Sequence, residues 1–173
     1  MTAVVDAPWT AAQFNTHVRD NLLETMPAKA TAANRMYVTT GEHALAERVP
    51  DAAVVTTSQT TTSTTYADLA TVGPAVTVTT GTSAVVWINV KAQNSTANAL
   101  MAASVAVSGA TTIAASDTYR VMYSGVAAAN ENRAGICHRF ANLNPGSNVF
   151  TMKYRVGAGT GTFAQREIVV LPL

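Results

Sequence analysis

"SAVVWINVKAQ", residues 83–93, changes polarity at almost every step: Val86, Ile88, Val90 and Ala92 fall on one side, Trp87, Asn89 and Lys91 on the other. Successive side chains of a strand point to opposite faces, so this period of two predicts a half-buried antiparallel strand. Residues 148–156 repeat the pattern, with Phe150, Met152, Tyr154 and Val156 opposing Thr151, Lys153 and Arg155. The β-branched residues that dominate this half of the chain favour extended backbone. Further strands are expected at 53–58, 65–70, 75–80, 99–108, 118–127, 133–142 and 162–171, with turns at Gly73-Pro74 and Gly81. Short strands following one another with no helix between them predict a mainly β protein, an antiparallel β-sandwich of jelly-roll-like form.

Composition fits flat, tightly packed strands better than a large aromatic core. The chain has 32 alanines and 26 threonines against four phenylalanines and two tryptophans, and charged residues make up only 12%. The net charge of +1 provides no field to hold nucleic acid or an anionic membrane. A single cysteine, Cys137, excludes an intrachain disulfide. The first residues have neither the basic nor the long apolar region of a signal peptide, and no apolar run approaches the roughly 20 residues needed to span a bilayer. A soluble protein made in a cytoplasm is expected, with Asn94-Ser95-Thr96 serving as a turn.

One segment is different. "PWTAAQFNTHVRDNLLETMP", residues 8–27, reads as a helix from about Ala11 to Thr25. Thr10 and Gln13 form a capping box, Trp9 is placed to staple onto Phe14, and Pro27 ends the run. Phe14, Val18 and Leu22 make one apolar stripe. A helix of this length is marginal alone, so the stripe needs a cover, either this chain's β-domain or a neighbouring subunit or assembly. Residues 28–52 show no clean period; Met36–Val38 suit a short strand and Glu42–Val49 a helical turn or two. Ten of the 21 charged residues lie in positions 1–51, and from Ala52 to Ser116 only Asp68 and Lys91 are charged. The expected division is therefore a helix and irregular connector, 1–51, used for attachment, and a β-sandwich domain, 52–173.

No catalytic, cofactor or metal site is expected. Cys137 and His138 are adjacent, and neighbouring strand residues point to opposite faces. "GEHALAERV" lacks the second histidine of a zinc helix. "GAGTGTF", 157–163, reads as a hairpin loop, with no following helix to cradle a phosphate. Asp68, Asp117, Glu131 and Glu167, the carboxylates after residue 51, are scattered. Tyr66, Trp87 and Tyr119 are the candidate ligand or interface aromatics, able to stack on sugars but more commonly used to fill a sheet or subunit interface.

"WTAAQFNTHVRDNLLETMP", 9–27, resembles the opening segment of structural proteins of tailed phages infecting actinobacteria, matching at Thr10, Ala11, Ala12, Gln13, Asn15, Thr16, His17, Arg19, Asp20, Asn21 and Leu22. "ALAERVPDAAVVTTSQTTTSTTYADLATVGPAVTVTTGTSAVVWINV" looks like the start of the β-domain that follows in those proteins, and "FAQREIVVLPL" fits its last strand. The resemblance implies a virion component: a capsid decoration or fibre protein or a minor tail protein. Its helix, carrying Trp9, Phe14, Val18 and Leu22, would anchor it to capsid or tail proteins, and its β-domain would be displayed. It also implies a homotrimer. The alternative expectation is a receptor- or glycan-binding module of a phage tail that meets a host-surface glycan.

Overall fold

The computed structural model describes residue 8, residues 10–23 and residues 30–173. By contact the chain forms two compact units, Met1–Arg35 and Met36–Leu173. No helix among the described residues is long and apolar enough to cross a membrane.

In the first unit, α1 (Ala11–Phe14) and α2 (Asp20–Leu23) flank a π turn at Asn15–Arg19. The capping box forms as expected: Gln13 N–H donates to Thr10 Oγ1 (3.2 Å) and Thr10 N–H to Gln13 Oε1 (3.0 Å). The uninterrupted α-helix does not form. The Asp20 amide bonds Asn15 O, five residues back, and the wider turn breaks the i, i+4 line through Phe14, Val18 and Leu22. Phe14 and Leu22 are exposed and Val18 is half-buried. Trp9 and the expected end at Pro27 lie outside the described residues.

The second unit opens with a hairpin, β1 (Met36–Gly41) and β2 (Ala44–Arg48). The helical turn expected at Glu42–Val49 is thus a strand: two turns of isolated helix do not recover their nucleation cost, and Met36–Thr39 offer a partner to pair with. His43 takes the left-handed conformation at the turn, and Tyr37 Oη donates to Glu47 across the pair (3.1 Å).

Nine further strands make the sandwich: β3 (Asp51–Val55), β4 (Gln59–Thr61), β5 (Ala75–Thr80), β6 (Ser83–Asn94), β7 (Leu100–Gly109), β8 (Val121–Ser124), β9 (Asn132–Ala141), β10 (Gly146–Val156) and β11 (Gly161–Pro172). One sheet runs β5-β10-β7-β8; the other runs β3-β11-β6-β9, with β4 also pairing β11. All pairings are antiparallel, which confirms the mainly β sandwich with a short N-terminal helix. The first sandwich strand starts at Asp51, beside the change in composition.

The alternations read from the sequence face as expected. Val86, Ile88, Val90 and Ala92 of β6 and Phe150, Met152, Tyr154 and Val156 of β10 are all buried in the core between the sheets. Each such large side chain contributes roughly 1.5–3 kcal/mol over its exposed state. Two aromatic pairs bind sheet to sheet: Phe140 with Phe150 (centroids 5.7 Å apart) and Tyr154 with Phe163 (5.0 Å).

Three local expectations change. Residues 65–70 form no strand. The stretch extends the edge of β10 beyond the end of β5, with Ala67 and Tyr154 exchanging backbone bonds at 3.0 and 2.9 Å. Only Val121–Ser124 of the 118–127 run is strand, preceded by a 3-10 turn at Asp117–Tyr119. The 157–163 stretch is not a hairpin loop: β10 and β11 lie in different sheets, and it crosses between them. Gly159 there has φ +68, and a Cβ would fall 2.4 Å from Thr96 Oγ1. The Asn94 side chain, buried, donates to Ala158 O (3.0 Å) and accepts from Thr96 N–H (2.9 Å), so the sequon is a turn.

Candidate functional site

The two outer faces of the sandwich differ. Over the four-stranded sheet, the chain covers itself. Ser104 of β7 is fully buried, its Oγ donating to Ser116 O (2.7 Å), and Asp117 then reaches Arg155 of β10. Arg155 Nη2 donates to both Asp117 carboxylate oxygens (2.9 and 2.8 Å) and its Nε to Oδ1 (3.2 Å), Tyr66 Oη donates to the same carboxylate (2.8 Å), and Arg120 joins as a second cation. The Arg155 guanidinium also lies over the Tyr66 ring, 5.3 Å from its centroid. Beside them Lys153 holds Asp68 at 2.7 Å.

This network sets local acidity. Arg155 first, then Tyr66, hold the Asp117 carboxyl down to about 2, while burial raises the Tyr66 phenol. The folded value lies below the ordinary 3.8, so the network's charge contribution is complete above that pH and disappears as pH falls through about 2. Asp117→Asn is expected to lower the urea midpoint by a constant amount from neutral pH down to about pH 4, the gap closing near pH 2. A gap unchanged at pH 2 would mean the carboxylate acts through packing alone.

Within the second unit, the outer face of the five-stranded sheet is bare. Register places Ala52, Val169, Trp87 and Cys137 side by side across β3, β11, β6 and β9, with Val54, Glu167, Asn89 and Gly135 in the adjoining row. Trp87 is 42% exposed and Val54 55%; Val85, Val169 and Leu171 are half-buried, and the Cys137 thiol is exposed. Beside Trp87 a hollow of about 580 Å³ opens over Gly135. A Cβ on Gly135 would stand 2.8 Å from Ile88 O, so the strands approach closely there and no side chain fills the space. Its polar end is Arg133, which donates to Asn89 Oδ1 (3.2 Å) and lies 3.9 Å from Glu167.

The three candidate aromatics are not brought together. Trp87 lies on this bare face. Tyr66 lies on the covered face of the other sheet. The Tyr119 ring packs on the inward side of β9, 4.7 Å from His138 and 4.5 Å from Phe140, where it fills the core edge. His138 is turned inward against these rings while Cys137 points out, so the two cannot act as a nucleophile and base. Asp68, Asp117, Glu131 and Glu167 each meet a Lys or Arg. Among the described residues no three His, Cys, Asp or Glu side chains form a metal-holding group.

Two features escaped the sequence reading. The Asp117 cluster joins residues 51 and 38 positions apart in the chain, which no local pattern reveals. Arg166 is wholly buried without a carboxylate. Its guanidinium donates to Gly73 O (3.1 Å), Thr71 O (3.3 Å) and Gln59 Oε1 (3.0 Å) and lies over the Tyr154 ring.

No protein-family model and no curated protein matches this chain. Among solved structures it is similar to Eiger TNF from S. frugiperda, at 11% identity and a TM-score of 0.51, over 73% of this chain and 92% of that one. It is also similar to the infectious bursal disease virus VP2 of a subviral particle, at 11% identity and a TM-score of 0.50 over 78% of this chain; the match spans 37% of the VP2 chain. The CBM22-1 xylan-binding domain of Paenibacillus barcinonensis Xyn10C aligns with 84% of this chain and 90% of its own at 12% identity, but its TM-score of 0.34 is too low to bear on sugar binding. At these identities the likeness is one of fold, that of an antiparallel β-sandwich.

Proposed function

We propose that this protein is a non-enzymatic structural component of a phage particle, a capsid-surface decoration or minor tail component. In this reading the N-terminal segment joins it to capsid or tail proteins, and the sandwich is a displayed knob that associates as a homotrimer. The observation that carries the proposal is the division of the chain into two compact units. A helical unit with no buried residue from Ala11 to Arg19 bears the phage-like sequence, and a separate unit contains the whole core cluster. The VP2 likeness is compatible with a particle component, and the phage assignment rests on the sequence resemblance. The pairing of each carboxylate after residue 51 with a cation supports a non-catalytic role. Immunogold labelling of purified particles tests the proposal: label concentrated on heads or tails supports it and locates the protein, whereas particles free of label overturn it.

Trp87 favours a second reading. An exposed indole beside Asn89, Arg133 and Glu167 combines a stacking surface with hydrogen-bonding groups, the pairing a sugar ring needs. Under this reading the knob is a receptor- or glycan-binding module, and binding on a glycan array is lost in Trp87→Ala.

A further inference from the structure

We infer that the bare outer face of the five-stranded sheet is the surface through which copies of this chain pack together; this rests on the self-association proposed above and assigns its location. The first observation is the asymmetry of the sandwich. The four-stranded sheet is overlain by its own chain at Ser116–Asp117 and Tyr66–Asp68, and elsewhere it presents the exposed threonines Thr77 and Thr79 of β5. Its exposed large apolar side chain is Met122, on the edge strand β8. Within the second unit the five-stranded sheet has no such cover and presents Val54, Val85, Trp87, Val169 and Leu171 in adjoining rows. A solvated antiparallel face normally carries polar residues at these positions, and a contiguous apolar patch on a sheet marks a contact surface.

The second observation identifies the occupant. Two pairs of charges on and beside this face are matched within the chain, Lys91 with Glu131 at 2.8 Å and Arg133 with Glu167 at 3.9 Å, and the one further cation, Arg139, donates to Ser83 Oγ at 3.3 Å. With anions and cations nearly equal, the face offers no field to a strongly acidic or basic partner. It complements a surface as apolar and as neutral as its own. It also carries both halves of a fit, the protruding Trp87 and Val54 and the hollow over Gly135, so one copy can fill what another leaves open. Closed symmetry ends such packing at a fixed number of subunits.

The chain's single cysteine lies beside this patch on the edge strand β9, paired in register with Trp87, and reports on its burial. The experiment uses the full chain at micromolar concentration. Light scattering is expected to give about 54 kDa, three times 18.0 kDa. Val54→Glu/Val169→Glu is expected to give 18.0 kDa with unchanged far-ultraviolet circular dichroism. Alkylation of Cys137 is expected to be roughly tenfold slower in the wild type than in the variant, and to accelerate as the wild type is diluted. The dilution series needs no variant and so remains decisive if the substitutions prevent folding. A wild-type mass near 18.0 kDa overturns self-association itself. A wild-type multimer that the double substitution leaves intact, with Cys137 equally reactive at every dilution, overturns this face as its location. A monomer that binds sugar through Trp87 would give the face to a ligand instead, and equally overturns the inference.

Discussion

Replacing Arg166 with alanine is expected to destabilise the sandwich by about 4 kcal/mol, combining a large buried cavity with the loss of charge-assisted hydrogen bonds. The side chain is fully buried in the core, at the register shift of β11 between Ala164 and Glu167. It reaches from the five-stranded sheet to the 59–73 connection and to the Tyr154 ring of the opposite sheet. Gly73 O also accepts from Tyr154 Oη (2.9 Å) and Gln59 Oε1 from Thr71 N–H (3.1 Å), so each keeps one donor in the variant. Thr71 O loses its Arg166 donor. With a urea slope of about 2 kcal/mol per molar, the midpoint should fall by about 2 M. Arg166→Met keeps most of the volume and loses the donors, so its cost should be about half. Folding stabilities of 5–15 kcal/mol are usual, and a loss of 4 is a large share of one. A midpoint shift below about 0.5 M in Arg166→Ala would show that neither the cavity nor the lost hydrogen bonds weigh on stability, and would refute this account.

A chain beginning at Met36 is expected to fold as well as the full protein and to be absent from particles. Every member of the core cluster lies between Leu69 and Val170, so the sandwich keeps its hydrophobic stabilisation when Met1–Arg35 is removed. The capping box and the phage-like stretch are removed with it. Circular dichroism and thermal melting should match the full chain, while the band on immunoblots of purified particles falls to background. A second chain beginning at Asp51 also lacks the β1–β2 hairpin and separates its contribution. Incorporation at the full-length level would place the anchor in the sandwich and refute the N-terminal attachment.

Much of the fold was legible because alternation is a local property. The phases of β6 and β10 follow from side-chain polarity alone, and their buried sides are those the sequence indicates. The capping box was equally readable, its partners being three residues apart. The candidate site was legible only in part. The shortage of charge from Ala52 to Ser116 predicts neutral strand surfaces, but cannot say which sheet remains uncovered. That depends on where the 63–68 and 110–119 stretches come to rest.

The sequence by itself determined the facing of the longest alternating strands, the antiparallel sandwich and the capped start of the opening helix, since period, branching and capping act between residues near in the chain. Only the tertiary structure decided what depends on partners far apart. Pairing made 44–48 a strand, and the end of β5 left 65–70 as an edge extension without a second neighbour. In β11 the register shifts between Ala164 and Glu167, where β4 gives way to β3 as partner. The extra residue there reverses which side chains face inward: Phe163 is buried before the shift, Arg166 and Ile168 after it. Strict alternation from Phe163 would put Arg166 in water and Gln165 in the core. The same geometry sends Tyr66, Trp87 and Tyr119 to three different levels of the sandwich and leaves Trp87 on the uncovered face. A side chain's direction is local, but what covers it is set by segments that arrive from elsewhere in the chain.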